Sequence, residues 1–150
     1  MKFEEHKIIE VINNSWGWKI PLVDQVLAVN SMGNCFLRDE NKQYWRVCPE
    51  ELSAELVAET DKQVQLIFED PAFKQDWQLL GLIDPAEEHF GKLKVGQCYC
   101  MLIPAVLGGE YSITNLRVGS VYEYLSLTGE LAFKTKELED GDSIELVIDK

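Results

Sequence analysis

From Gln97 through Gly109 the chain carries no charged residue. A run this dense in apolar and aromatic side chains predicts a central strand over Tyr99–Val106, covered on both faces. Pro104 limits how far its ladder can continue, because proline has no N–H to donate. Gly108-Gly109 then marks a position where the backbone takes positive φ or passes close to another chain segment. A structural corner is one reading of the pair and the wall of a small-ligand pocket is the other. The pair is no phosphate cradle, since the GxxxxGK[ST] pattern is absent.

Charge narrows the partners. The formal net charge is −12, which argues against direct contact with nucleic acid or an anionic membrane, surfaces that need clustered Lys and Arg. The excess is uneven: residues 51–90 hold two Lys/Arg against ten Asp/Glu. At 150 residues one domain, 1–150, is expected, and a 46% apolar share predicts a packed globule. The N-terminus has acids before a short apolar run, and no run approaches the ~18 apolar residues of a membrane span. A cytoplasmic chain is therefore expected, with Cys35, Cys48, Cys98 and Cys100 as reduced thiols. Cys98 and Cys100 point to one side of a strand, but CxC without a matching CxxC or HxxxH is a weak zinc signal, with only His6 and His89 available to help, and buried or semi-buried free thiols are expected.

Along the chain, Ile8, Ile9, Ile12 and Trp16 recur at helical spacing and predict an amphipathic helix over 3–14. Trp16 and Trp18 flank Gly17 in a loop, either buried against that helix or lining a ligand groove. Gln25–Ser31, Asn34–Arg38 and Gln43–Cys48 read as a meander broken by turn-rich segments. Leu52–Glu59 should be a half-exposed strand with Leu52, Ala54, Leu56 and Ala58 on one side. Arg46 lies near Glu50 and Glu51 in sequence and reads as part of a structural ion pair.

Thr60 opens a short helix through Phe68, and Asp70-Pro71 starts another whose apolar side is Phe73, Trp77 and Leu80. Asp84-Pro85 repeats the device for a helix ending at Gly91. Ser120 caps a last helix with Val121, Tyr124, Leu125 and Thr128 on one face. Asp140-Gly141 turns the chain into a closing strand at Ser143–Ile148. The three acidic helices form either a solvated face or a docking surface for a basic partner.

Chemistry beyond binding is not indicated. Neither His6 nor His89 accompanies a Ser or Cys nucleophile motif, and HExxH, EF-hand and dinucleotide fingerprints are absent. The sequence points to no catalytic residue, no metal site and no cofactor.

Several segments together resemble the bacterial DUF1851 family, also described as the C-terminal domain of the type VI secretion immunity protein Tdi1. They are Asn30–Asn34, Tyr44–Glu50, Asp76-Trp77, Gly91–Leu93, Gly96–Tyr99, and Ile103–Gly109 leading to Asn115. The likeness spans about residues 26–148, and such motifs specify a fold more readily than an activity. The resemblance implies an antitoxin-like role: a cytosolic protein that binds and blocks a cognate secreted toxin, which for the name-giving member is a DNase. An acidic protein suits that role, because a nuclease presents a basic surface to DNA. Glu59, Asp61, Glu69, Asp70, Asp76, Glu87 and Glu88 are then the expected steering charges. The alternative is a non-catalytic module sensing a small ligand or nucleotide, with a pocket around Trp16, Trp18, Gly108 and Gly109.

The expected fold is α+β, with one mostly antiparallel sheet from the meander, the 97–106 strand and the 143–148 strand, and helices mainly on one side.

Overall fold

Phe36 and Leu37 are neighbours in sequence, and neither is exposed. Successive strand residues point to opposite faces, so their strand is covered on both sides. That strand, β2 (Cys35–Asp39), lies inside a four-stranded antiparallel sheet of order β1-β2-β3-β4, with β1 at Val23–Val29, β3 at Tyr44–Cys48 and β4 at Ser53–Ala58. The computed structural model describes residues 1–137.

Helices cover both faces of this sheet. On one side Cys35, Leu37, Val47 and Ala54 meet Ile8 and Ile12 of α1 (Glu5–Ser15), Trp16, and Val121, Leu125 and Ala132 of α5 (Val121–Thr135). On the other, Phe36, Tyr44 and Ala58 meet Val64 of α2 (Asp61–Glu69), with Phe68 of α2 and Phe73 and Trp77 of α3 (Pro71–Gln78) packed around them. Phe36 is the centre of that second layer, its ring 4.8 Å from Phe68 and 6.1 Å from Phe73. A third core lies under α4 (Leu80–Phe90), where Ile83 and Ala86 pack on Tyr99, Met101 and Leu116 of a separate two-stranded sheet, β5 (Gln97–Met101) with β6 (Leu116–Ser120).

The α+β class and the antiparallel pairing are those expected. The helices, expected mainly on one side, are shared between the two faces. The single sheet is split in two. The strand expected over Tyr99–Val106 ends at Met101, because the chain turns into a short 3-10 segment after Pro104. Its partner is β6, which the sequence reading did not contain. The turn at Asp140-Gly141 and the strand at Ser143–Ile148 lie outside the described residues.

Local signals fared well where a side chain closes its own backbone. Thr60 accepts from Gln63 N, Asp70 from Ala72 N, and Ser120 from Glu123 N, so three expected caps are formed. Asp84-Pro85, by contrast, starts nothing. Leu79 takes a left-handed conformation that ends α3, and α4 begins at Leu80 with Pro85 inside it. Leu80 is consequently exposed rather than on the apolar side of α3. The N–H that Pro85 lacks would address the Gly81 carbonyl, and Gly81 is exposed, so water can replace it.

β4 also departs from simple alternation. Tyr44 pairs with Ala58 but Trp45 pairs with Leu56, a bulge that leaves Val57 over. Ala54 therefore joins the α1–α5 core and Ala58 the α2–α3 core, and Leu56 is 42% exposed.

α1 and α5 approach closely at Gly129. A Cβ there would lie 2.6 Å from the Ser15 carbonyl oxygen and 2.8 Å from Trp16 Nε1. Alanine gains ~1 kcal/mol in helix propensity, but it must push α1 away. Gly129→Ala is expected to destabilise the fold by about 1–2 kcal/mol net, read as a lower denaturation midpoint at unchanged slope.

Candidate partner-binding face

The α2–α3 layer carries five of the seven expected steering residues. Glu59 follows β4, Asp61 opens α2 and accepts the Tyr44 hydroxyl, Glu69 closes α2, and Asp70 caps α3. Asp76 sits on α3 and accepts from Arg46 Nη1 at 2.7 Å. All are exposed. Glu87 and Glu88 are exposed too, but on α4 over the small sheet, and Glu87 lines a cleft with Lys2, Lys92 and Lys94. The seven acids thus form a five-residue group and a separate pair.

Beneath the α2–α3 layer runs a buried polar chain. Asn34 is fully buried and its Nδ2 donates to both Glu50 oxygens, at 3.0 and 2.9 Å. Its Oδ1 accepts from Arg46 Nη2 at 3.1 Å. Arg46 lies over the rings of Trp77 and Phe73, 5.3 and 5.9 Å from their centroids. Asn30 extends the chain by donating to the Trp77 carbonyl while accepting from Met32 N and Asn34 N. The ion-pair partner of Arg46 is therefore Asp76. Glu50 is linked to it only through Asn34, and neither Glu50 nor Glu51 pairs with it directly.

Glu50 is only 2% exposed. Burial raises its pKa, against the opposing pull of the Asn34 and Cys48 hydrogen bonds. The Cys48 thiol is pushed strongly up by burial and by the Glu50 charge, and it donates to Glu50 at 3.1 Å. A thiol so protonated is no nucleophile. The chain opens into a cleft of about 440 Å³ bordered by Arg46, Cys48, Glu51, Glu55, Asp76 and Tyr111. Tyr111 is 45% exposed and its hydroxyl reaches Glu51. Such a set can hold a polar or cationic group, but it contains no activated nucleophile.

The residues of the expected ligand corner lie apart. Trp16 is fully buried, its Nε1 donating to the Leu125 carbonyl at 3.0 Å. Trp18 stacks on it at 6.0 Å, meets Phe133 edge-on, and lines an open groove of about 540 Å³. Gly108 and Gly109 belong instead to the loop between β5 and β6. Gly108 takes φ of 97°, and a Cβ on Gly109 would fall 1.8 Å from the Ile103 carbonyl oxygen. The corner therefore uses both kinds of freedom, one at each glycine. Among the described residues no group of His, Cys, Asp or Glu is arranged to hold a metal ion, and Cys98 and Cys100 lie side by side as buried thiols with sulfurs 3.5 Å apart.

Asn34 and Tyr111 are not singled out by the sequence, and Glu50 enters there only as a neighbour of Arg46, although the quoted motif segments contain both Asn34 and Glu50. Asn30–Asn34, Tyr44–Glu50 and Asp76-Trp77 all converge on this one network, which is the signal that could have found it.

Comparison with known proteins gives three findings. Residues 58–132 match the family described as T6SS immunity protein Tdi1, C-terminal, a narrower span than the 26–148 expected. A solved structure, Atu4351 from Agrobacterium tumefaciens, is similar with a TM-score of 0.56 at 15% identity, over 84% of this chain and 64% of that one. The chain thus spans less than two thirds of that protein, and at this identity the likeness is one of fold. A comparison with the curated proteins gives no match.

Proposed function

The chain belongs to the family of the type VI secretion immunity protein Tdi1, C-terminal domain, and from that premise we propose that it is a non-catalytic immunity protein that binds and neutralises a cognate toxin. The matched span, 58–132, carries the reading because it contains all seven steering acids. The toxin that suits such a face is basic, as a DNase must be to hold DNA. Direct contact of this chain with nucleic acid is disfavoured by the same charge. No helix among the described residues is long and apolar enough to cross a membrane, and the proposed site of action is the cytoplasm.

The test begins by capturing the tagged chain's partner from a lysate of its own bacterium at moderate salt, and continues with association kinetics. Glu59, Glu69, Glu87 and Glu88 are the acids to reverse, because Asp61, Asp70 and Asp76 also hold Tyr44, the α3 cap and Arg46. The four Glu→Lys changes together are expected to slow association about tenfold at low salt, with the difference fading as salt rises. An unchanged association rate, or a captured partner that is acidic, would reject electrostatic steering by these acids.

A further inference from the structure

The two edges of the main sheet are treated differently. β1 is sealed by α1: Asn13 Oδ1 accepts from Val23 N at 2.9 Å, and Glu5 Oε2 accepts from Val26 N at 3.2 Å. β4, the opposite edge, has no such guard among the described residues. Among the described residues, the backbone of Ser53–Ala58 makes no hydrogen bond beyond its ladder with β3. An unguarded edge is a template for another strand.

Its surroundings select what can pair there. Towards one end β4 borders the Arg46 cleft through Glu55, and towards the other a shallow groove of about 480 Å³ floored by Leu56, Leu66 and Ile67. Leu56 and Leu66 are 42% and 59% exposed. Glu51, Glu55 and Glu59 stand along the edge, and no Lys or Arg lines the groove. Two copies of the chain meeting at this edge would bring like charges together, which is unfavourable across a strand pair. Residues 138–150 are acidic as well, so the same repulsion applies to them.

We propose that the free edge of β4 receives an extended, lysine- or arginine-bearing segment of the partner protein as an added strand, its apolar side chains meeting Leu56 and Leu66 and its basic ones meeting Glu55 and Glu59. This deepens the toxin-binding reading and rests on it for the identity of the partner. The main-chain ladder supplies affinity, and the alternating apolar and acidic positions supply selectivity. Acids on the edge serve two ends: they keep the chain from pairing with itself and admit a strand of opposite charge.

The probe is a short synthetic peptide alternating lysine and valine, added to the full-length protein while amide exchange is followed residue by residue. At a peptide concentration about ten times its Kd, exchange at 53–58 should slow about tenfold. The same peptide with N-methylated backbone, and a glutamate–valine peptide, should leave it unchanged. Glu55→Lys should weaken the lysine peptide's effect. Absence of slowing on the unaltered chain overturns the proposal. So does equal slowing by the N-methylated peptide, which would mean groove contact without a ladder. Protection already present in the free chain, and released by dilution or by truncation after Glu137, would assign the edge to a second copy or to residues 138–150 and likewise overturn it. Protection by the lysine peptide with no toxin captured would keep the edge and reject the immunity reading. A captured toxin that leaves 53–58 exchange unchanged would do the reverse.

Discussion

Trp16→Ala is expected to cost about 3–5 kcal/mol, the range for removing a fully buried large aromatic side chain. Trp16 fills the junction of α1 and α5 against Ile12 and Leu125, and its indole N–H satisfies the Leu125 carbonyl inside α5. Truncation leaves a cavity too close-walled to collapse, because Gly129 already sits in contact with Ser15 and Trp16. Against a typical total stability of about 5–15 kcal/mol, such a loss puts the variant near its folding limit. Trp18→Ala should lose less than half as much, since Trp18 is 37% exposed and rests on its neighbours by stacking. Urea midpoints at constant slope decide this. Similar small losses for both would remove Trp16 from the core and revive the reading of the tryptophan loop as a ligand groove.

The contrast between the two tryptophans shows what was legible. Helical spacing aligned Trp16 with Ile8 and Ile12, and the fold buries it beside them as the residue that caps the end of α1. The caps at Thr60, Asp70 and Ser120 were equally readable, because each is a contact between residues two or three apart. β6 was not, since its five residues hold only two alternating apolar positions, Leu116 and Val118, too few to mark a strand, and Gly119 weakens the signal further. Gly119 is there for a long-range reason: a Cβ on it would lie 3.1 Å from Cys100 Sγ on β5. Pro85 misled for a similar reason, because what starts α4 is the backbone at Leu79, and no side-chain signal announces it.

The candidate site divides along the same line. Its acidity is a property of composition and was visible; its grouping is tertiary and was not. Five of the acids share a layer because Phe68, Phe73 and Trp77 pack on Phe36, a strand residue more than thirty positions earlier than Phe68. Arg46 was assigned to nearby acids on sequence distance. The fold instead gives it Asp76, thirty residues away, because α3 crosses above β3 and brings that carboxylate within reach. The β4 edge could not be seen at all from sequence, since whether a strand lies at an edge depends on topology rather than on its residues.

Asn34→Ala tests whether that hidden network holds the binding layer. The change removes the amide that both Glu50 oxygens accept and the carbonyl that Arg46 donates to. A buried charge that loses its partner is costly, and about 3 kcal/mol is expected at neutral pH and above. The pH dependence separates the two halves. Glu50 has its folded pKa raised above the ordinary 4.5 mainly by burial, so its ionised form burdens the fold at pH above the folded value. That burden shrinks as pH falls through the folded value and is gone below 4.5, where the carboxyl is protonated in both states. Without Asn34 the folded pKa rises further, because one of the bonds lowering it is gone. The deficit of the variant relative to the natural chain should therefore be larger at about pH 8 than at about pH 5. A deficit independent of pH would assign the loss to Arg46 alone. Because Arg46 holds Asp76, and Asn30 both braces Asn34 and holds the Trp77 carbonyl, amide exchange in α3 should quicken more than in α1. In that case Asn34, which no partner could touch, sets how firmly Asp70 and Asp76 are presented to one.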